Sequence, residues 1–354
     1  MNRMSKLLSN PWVRAAIFVA VAVILAIAPL VLPVFANQTL TRMGVYAVAV
    51  LGLNIIMGYT GQVMLGQIFF LGVGAYVTAY GVENEWNIVL VFFAACILPG
   101  IVGLVIALAA ARLGGLAIAM VTIALPIIGV PLAKRLSDLT GGSQGTSARF
   151  SSAPDWTGLD NDQWQYYIVV VIAAIGFVLA YNLVHGKFGR AMAIVRDNES
   201  VACSIGISPY RYKVMAFTIA SIFGGASGFL YMVAVQYTSP ETMSFAHSIS
   251  LLAAMVVGGA ASIAGSLIGG IYYVLVPQVT NAIDPTLTAI SQGIILVGVL
   301  FLLPGGLVSL PRVIRRLLRR RDTGMDASPK TAPPSPRDVD PSVEGPETER
   351  QGQS

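Results

Sequence analysis

The sequence predicts an all-α polytopic membrane protein with about ten transmembrane segments, and three observations support this prediction. Of the 354 residues, 55% are hydrophobic and only 11% are charged, whereas soluble domains are about a quarter charged. The apolar residues gather in runs about as long as a bilayer is thick. The basic residues concentrate between and beside these runs, as they do in the cytoplasmic loops of membrane proteins.

The first apolar run, residues 15–35, follows a basic amino terminus, residues 1–14. At 1.5 Å per residue, a helix of this length covers about 30 Å, which is one hydrocarbon thickness. A signal peptide is the competing interpretation, because Val34 and Ala36 resemble a cleavage site. Its apolar region is usually shorter, about 7–15 residues. We therefore expect an uncleaved first helix and a cytoplasmic segment 1–14.

Further apolar runs predict the remaining membrane helices. They cover residues 43–58, 63–81, 88–111, 113–133, 165–184, 214–237, 248–277 and 288–303. Run 248–277 is too long for one span and contains "GGAASIAGSLIGG" in its middle. Small residues there favour a break in the helix that protein, and not lipid, surrounds.

The distribution of charge sets the predicted number of spans. The stretch 187–213 has five basic and two acidic residues, whereas loop 82–87 has only Glu83 and Glu85. Basic loops face the cytoplasm. Nine spans would place the arginines of 312–321 outside, but a break near Ala260–Gly265 makes ten spans and returns them inside. We expect both termini to be cytoplasmic.

These predictions divide the chain into a transmembrane domain at 15–309 with an extracytoplasmic loop at 134–163 and a cytoplasmic loop at 187–212. A basic juxtamembrane segment follows at 310–321. Segment 322–354 holds six prolines and seven acidic residues and is predicted to be disordered. The net charge of +5 does not indicate a nucleic-acid partner, because six arginines lie in the juxtamembrane segment, where topology or lipid contact explains them.

The types of residue in the predicted spans limit the classes of transport and enzyme activity that are possible. Their cores hold no Asp, Glu, Lys or Arg, which disfavours proton coupling, while sodium coupling through carbonyls and hydroxyls stays open. His185 and His247 lie at span ends, where we expect structural roles. No G-x-x-x-x-G-K-[ST] motif or catalytic grouping occurs. We therefore expect no enzyme activity and no bound cofactor or metal, so any energy must come from another chain.

Polar residues at membrane depth gather in "GLNIIMGYTGQVMLGQIFFLGVGAY", residues 52–76. Six glycines in this segment permit both a broken helix and close helix contact. The segment is our candidate substrate pathway. The alternative, with equal weight, is that the glycines serve helix packing and the side-chain amides are hydrogen-bonded within the protein. The candidate pathway residues are Asn54, Tyr59, Thr60, Gln62 and Gln67.

The stretch "KFGRAMAIVRDNESVACSIGI", residues 187–207, predicts two short helices. In the first, Phe188, Met192 and Val195 recur at helical spacing and form one apolar face. In the second, Asn198 is a suitable N-cap, and Glu199 suits the positive end of the helix dipole. Gly206 can end that helix in the left-handed conformation, as Gly commonly does.

Such a pair of helices makes a rigid knob that fits a groove on a partner. The alternative is an ordinary basic loop that lies on the membrane surface.

Three stretches resemble the LivM-like permease subunits of branched-chain amino acid ABC importers: residues 52–76, residues 187–207 and the stretch "MVVGGAASIAGSLIGG". The resemblance extends over about residues 40–305. The resemblance implies the type II importer architecture, in which the cytoplasmic loop couples the permease to an ATPase. The residues that would form the coupling loop are Phe188, Gly189, Arg190, Arg196, Asp197, Asn198, Glu199, Ala202 and Gly206.

The resemblance also implies partners and a location. These are a second, LivH-like permease, two cytoplasmic ATPase subunits that bind ATP, and an extracytoplasmic binding protein, all at a bacterial inner membrane. "LTGGSQG", residues 139–145, resembles the loop where the binding protein delivers substrate, and its candidate contacts are Thr140, Gly141, Gly142 and Ser143. The alternatives are a stand-alone facilitator or sodium-coupled carrier for a small neutral solute, or a membrane-anchored scaffold.

Overall fold

Helices make up nearly all of the chain that the computed structural model describes. It describes residues 23–110, 115–150, 153, 158–283, 293–294, 297–298, 301 and 305–310. The described residues up to Leu310 form one unit. Segments 1–14 and 322–354, almost all of 310–321 and most of run 288–303 lie outside the described residues, so the predictions made for them remain predictions.

A helical stretch at 23–31 precedes the long helices. The helices that follow are α1 (Val34–Thr60), α2 (Gln67–Glu83), α3 (Ile88–Ala110), α4 (Gly115–Arg135), α5 (Ser137–Thr140), α6 (Asn161–His185), α7 (Lys187–Asp197), α8 (Glu199–Ser204), α9 (Pro209–Val235), α10 (Phe245–Gly258) and α11 (Ile263–Ile283). Two short strands, β1 (Thr146–Ser147) and β2 (Tyr237–Thr238), pair antiparallel.

Helix α1 begins nine residues earlier than the apolar run predicts, directly after Pro33. Its first turns carry buried polar side chains that donate hydrogen bonds, although Asn37 Oδ1 has no partner among the described residues. Asn37 Nδ2 donates to the carbonyl oxygen of Pro29 and to Asp162 Oδ2, both at 3.0 Å, and Thr41 Oγ1 donates to the carbonyl oxygen of Asn37 at 2.7 Å. Hydropathy alone underestimates the length of such a helix.

This early start brings Arg42 into α1, one residue before the predicted run 43–58. Helix α1 is long and apolar enough to cross a membrane, and its 27 residues cover about 40 Å, which is about 10 Å more than the hydrocarbon layer. Arg42, about 12 Å from the start of α1, therefore lies near the edge of that layer. The core of the predicted span still holds no charged residue.

Helix α9 packs against α1, α2 and α3 through small residues. A Cβ at Gly225 would collide with the carbonyl oxygen of Ala95 in α3, and a Cβ at Gly228 would collide with that of Leu71 in α2. Helices in lipid associate through close packing of this kind, because lipid removes the hydrophobic driving force. The glycines therefore set the distance between α9 and its neighbours.

The predicted break in run 248–277 is confirmed, and it separates α10 from α11. The connection contains Gly259 with φ 124° and Ala261 with φ 57°. The two helices return antiparallel, and a Cβ at Gly258 would collide with the carbonyl oxygen of Gly265. Gly258 and Gly259 at the break are buried, whereas Ala260 is exposed and Ala261 and Ser262 are partly exposed.

Six helices in the described part of the chain are long and apolar enough to cross a membrane. These are Val34–Thr60, Ile88–Ala110, Ile118–Arg135, Asn161–His185, Pro209–Val235 and Ile263–Ala282. Helix α10 has 14 residues and covers only about 21 Å of the roughly 30 Å hydrocarbon layer. The count of about ten spans is therefore not confirmed, whereas the polytopic all-α architecture is.

Loops 134–163 and 187–212 lie at opposite ends of α6. This helix has 25 residues and starts with a capping box between Asp160 and Gln163, so it separates its two ends by about 37 Å. At its start, β1 pairs with β2 beyond the end of α9. At its end, Gly186 leads directly into α7. If one loop faces the cytoplasm, the other faces the opposite side.

Candidate functional site

Residues 187–207 form the two predicted helices, α7 and α8. On the apolar face of α7, Met192 is completely buried and Val195 is 2% exposed. Phe188 is partly buried, and its ring lies 5.4 Å from that of Tyr212 in α9. Helix α7 also contacts α1 and α6. The loop is thus packed onto the helix bundle along its apolar face.

The predicted caps of α8 are confirmed. Asn198 Oδ1 accepts hydrogen bonds from the backbone N–H of Ser200 at 2.9 Å and of Val201 at 3.1 Å. Gly206 has φ 81°, and the N–H of Ile207 donates to the carbonyl oxygen of Ala202 at 2.9 Å. This is the pattern in which a left-handed glycine closes a helix.

An ion pair that the sequence did not predict ties α8 to α9. Glu199 Oε1 lies 2.5 Å from Lys213 Nζ. Lys213 is only 8% exposed, whereas the Glu199 side chain is 57% exposed. A buried ammonium needs a paired anion, so Glu199 has a second role besides its place at the helix amino terminus. Fourteen residues separate the pair, and no helical periodicity would reveal it.

Arg196 joins the same loop to the end of α1. Its Nη1 donates to the carbonyl oxygen of Gly58 at 2.9 Å, and its Nη2 lies 3.1 Å from Asp197 Oδ1. The last carbonyls of a helix lack partners within that helix and carry partial negative charge. Gly61 then ends α1 with φ 69°, and a Cβ there would lie 2.8 Å from Arg196 Cγ. Movement of α7 is therefore mechanically linked to the end of α1.

The other predicted coupling residues divide into inner and outer positions. Gly189 is buried, and a Cβ there would collide with the carbonyl oxygen of Val184 in α6. Ala202 is completely buried. Arg190 is exposed, and its Nη1 donates to the carbonyl oxygen of His185 at 3.4 Å.

Two large apolar side chains are exposed at the tip of this loop. Val201 in α8 is 51% exposed, and Ile205, the residue that follows α8, is 58% exposed. Exposed large apolar side chains next to charged ones are typical of interaction sites. The sequence analysis did not single out this pair, although its spacing was readable.

In the segment 52–76, Asn54 binds the connection between α10 and α11. Its Nδ2 donates to the carbonyl oxygen of Ser262 at 2.8 Å and to Ser266 Oγ at 3.0 Å. Its Oδ1 accepts from the N–H of Ala261 at 2.8 Å. The side chain is 1% exposed. For Asn54, this geometry favours the packing alternative over the pathway.

The remaining polar residues of the segment surround the non-helical residues 61–66. Gln67 Nε2 donates to the carbonyl oxygen of Ala220 at 3.0 Å, and Thr60 Oγ1 donates to that of Ile56. Gln67 Oε1 and Gln62 Nε2 are buried without a partner among the described residues. Tyr59 is partly exposed. Gln62 and Gln67 therefore retain unused polar atoms and stay candidates for the pathway.

The candidate binding-protein contacts form a tight turn after α5. Thr140 is buried, and its Oγ1 donates to the carbonyl oxygen of Ala133 at 2.6 Å. Gly141 and Gly142 have φ of 71° and 62°, a region that favours glycine. Ser143 and Gly141 are exposed, whereas Gly142 is buried. Thr140 and Gly142 thus stabilise the turn, whereas Gly141 and Ser143 lie on its exposed surface.

A second polar cluster, which the sequence analysis missed, lies between α1, α9, α10 and α11. The ring of Tyr46 lies 4.0 Å from that of Tyr273 and 6.4 Å from that of Tyr231, measured between centroids. His247 Nδ1 lies 3.0 Å from the hydroxyl of Tyr273, in line with the structural role expected of this histidine. Arg42 lies one turn before Tyr46 in α1, so the two side chains are on the same face of that helix. Only the spacing of Arg42 and Tyr46, one turn apart, was visible in the sequence.

Comparison with known proteins decides the family. The family model described as "Branched-chain amino acid transport system / permease component" matches residues 35–302. The chain belongs to this permease family. The match begins one residue into α1, so the family region starts at the same place as the continuous helix bundle.

Individual relatives support the same family assignment. The chain is 28% identical over 279 residues to the high-affinity branched-chain amino acid transport system permease protein LivM of Escherichia coli (strain K12). It is 27% identical over 278 residues to LivM of Salmonella typhimurium. Each match covers 71% of this chain and 65% of the relative, so the chain spans less than two thirds of these curated relatives.

A shorter match, 33% identical over 103 residues, is to the probable branched-chain amino acid transport permease protein LivH of Methanocaldococcus jannaschii. It covers 29% of this chain and 31% of that protein. No solved structure matches the chain.

Family membership and the six apolar helices establish a multi-pass membrane protein of the permease class. Its relatives are named as transport permease proteins and not as enzymes. Within the described residues, no three His, Cys, Asp or Glu side chains are grouped so that they could hold a metal ion.

Proposed function

We propose that this chain is a membrane-spanning subunit of an ABC importer that takes up branched-chain or related amino acids, with ATP hydrolysed on a partner chain. Family membership and the transport function for which the LivM relatives are named support the class of transport. The sequence contains no phosphate-binding loop of its own. An external ATPase would supply the energy.

The observation that carries the proposal is the construction of loop 187–212. Three contacts fix it to the bundle: the Glu199–Lys213 ion pair, the Arg196–Gly58 hydrogen bond and the buried face of α7. Its outward side nevertheless presents Val201 and Ile205 to solvent. A rigid element with an apolar tip suits a groove on the ATPase, whereas a stand-alone facilitator has no use for one.

In this assembly, loop 187–212 faces the cytoplasm and loop 134–163 faces the opposite side, where a binding protein would contact Gly141 and Ser143. One chain would supply half of the pore, and a LivH-like permease the other half, above two ATPase subunits. The similarity to LivH over 103 residues is compatible with such a pair of related permeases. The membrane would be the bacterial inner membrane, with both termini in the cytoplasm.

The test is the double substitution Val201→Glu/Ile205→Glu in the importer assembled with its partner subunits in vesicles. Two buried carboxylates at the tip should prevent docking, so that leucine uptake and substrate-stimulated ATP hydrolysis both fall about tenfold or more. Asn84→Glu is the matched control, because Asn84 lies in an exposed turn between α2 and α3. It should leave both activities within about twofold of wild type.

Wild-type uptake by the double variant would contradict the docking role. ATP-independent uptake of a neutral solute by the chain alone would instead establish the facilitator. Uptake that follows a sodium gradient would establish the secondary carrier.

A further inference from the structure

The proposed docking function does not explain the position of Arg42. This arginine lies about 12 Å along α1, counted from Val34, and it is exposed. In the described part of the chain, the ion pairs formed by basic residues involve Lys134, Arg196 and Lys213 but not Arg42. A charged side chain near the edge of the hydrocarbon layer faces the bundle interior or water, because exposure to lipid is expensive. Arg42 thus marks a surface that water can reach.

The three tyrosines beside Arg42 extend this surface towards the middle of the bundle. Tyr46 lies one turn further along α1, about 6 Å beyond Arg42. Tyr46, Tyr231 and Tyr273 are all partly exposed, but the rings of Tyr46 and Tyr273 pack against each other with centroids 4.0 Å apart. A ligand could therefore contact only the ring surfaces that this packing leaves open. Hydrogen bonding between His247 and the Tyr273 hydroxyl limits the motion of that ring. The cluster is therefore a preformed aromatic wall with a cation at its outer edge.

The charges around the cluster match those of a zwitterion. A guanidinium binds a carboxylate through two parallel hydrogen bonds, and Arg42 has no carboxylate partner among the described residues. An ammonium group is attracted to the face of an aromatic ring within about 6 Å of its centroid. The nearby carboxylate of Glu241 is already paired with Lys134 at 3.0 Å. The rings, and not an acidic side chain, are left to attract an ammonium group.

We propose that Arg42, Tyr46, Tyr231 and Tyr273 form a transient binding site for the head group of the transported amino acid. Arg42 receives the α-carboxylate, and the tyrosine rings receive the α-ammonium group. This site rests on the proposed function for its ligand, but its location rests on the geometry of the cluster. Conduction requires that the solute also leave the site, and the absence of an acidic side chain for the ammonium group keeps the binding transient.

Uptake by right-side-out vesicles that contain the complete importer tests the role of the charge. Arg42→Gln should reduce maximal leucine uptake about tenfold or more at equal surface expression, since a paired charge-assisted contact is lost. Arg42→Lys should retain more activity than Arg42→Gln because it keeps the charge. Glu83→Gln is the matched control, since it also removes one exposed charge, at the end of α2, and it should stay within about twofold of wild type.

Thiol labelling tests the location independently of leucine transport. In a Cys203→Ser background, which removes an exposed thiol, Tyr46→Cys should react with a small membrane-impermeant sulfonate reagent added outside. Leucine should slow that reaction. Val105→Cys is the lipid-side control, because Val105 is 62% exposed on α3, and it should not react.

The outcomes separate the two proposals. If wild type takes up leucine while Arg42→Gln matches wild type, or Tyr46→Cys does not react, the site is overturned and the proposed function stands. If wild type takes up no amino acid although Tyr46→Cys reacts, the proposed function and the zwitterion assignment both fail. Reaction at Tyr46→Cys that leucine slows, together with loss of uptake in Arg42→Gln, supports the site.

Discussion

Replacement of Asn54 by Leu distinguishes a structural side chain from a pathway side chain. In the structure, Asn54 forms three hydrogen bonds of 2.8–3.0 Å to the connection between α10 and α11. Leucine has a similar size but no polar atoms, so all three bonds are lost. The N–H of Ala261 and the carbonyl of Ser262 then lose a partner at membrane depth.

The magnitude follows from the number of bonds. A hydrogen bond between membrane helices contributes about 0.6 kcal/mol on average, so three of them contribute about 2 kcal/mol. The unpaired N–H of Ala261 adds about 1–3 kcal/mol, reduced here because Ala261 is partly exposed. A total of about 2–4 kcal/mol corresponds to a melting temperature lower by roughly 4–12 °C.

Thermal melting of the purified protein in detergent, followed by size-exclusion chromatography, measures this change. Asn182→Leu is the matched control, because Asn182 is exposed near the end of α6, and it should melt like wild type. Leucine uptake per surviving molecule should remain close to wild type in both variants. If Asn54→Leu melts like wild type but loses uptake, the amide contacts substrate and the packing argument is wrong.

Two further predictions concern contacts within the bundle. Glu199→Gln leaves the buried ammonium of Lys213 without an anion and should lower the free energy of unfolding by about 1–3 kcal/mol, towards the lower value because the carboxylate is half-exposed. Urea or thermal unfolding should show that the double variant Glu199→Gln/Lys213→Met regains stability. Equal stability of Glu199→Gln and wild type would show that the ion pair does not stabilise the protein. Gly225→Ala should destabilise by about 1–3 kcal/mol through collision with α3, whereas Gly176→Ala, whose Cβ would lie 3.4 Å from Phe223, should be tolerated. Similar melting temperatures of these two glycine variants would mean that α9 and α3 can separate at little cost.

The features that the sequence predicted correctly depend on local chemistry. Asn198 caps α8 and Gly206 closes it, because a cap needs only a suitable side chain and a left-handed residue within one turn. The break between α10 and α11 follows from glycines and small residues that are adjacent in the chain. The membrane class follows from composition, since too few polar residues are present to cover a soluble domain.

The tertiary structure decided which polar residues are used in packing and which remain open. Asn54 and Lys213 find partners far along the chain, at Ser262 and Glu199, and no pattern within one helix shows such a contact. The early start of α1 brought Arg42 into this helix. Hydropathy did not predict that start, because polar residues such as buried Asn37 lower the apolar score of the first turns.

Composition and local spacing thus determined the fold class, the paired loop helices and the broken segment. The rotation of each helix about its axis was decided only by packing, because glycine contacts such as Gly225 against Ala95 and Gly258 against Gly265 select one register among many. That rotation turned Asn54 into the bundle and brought Tyr46, Tyr231 and Tyr273 together from three helices. A linear sequence lists these side chains, but their meeting depends on the angles at which the helices pack.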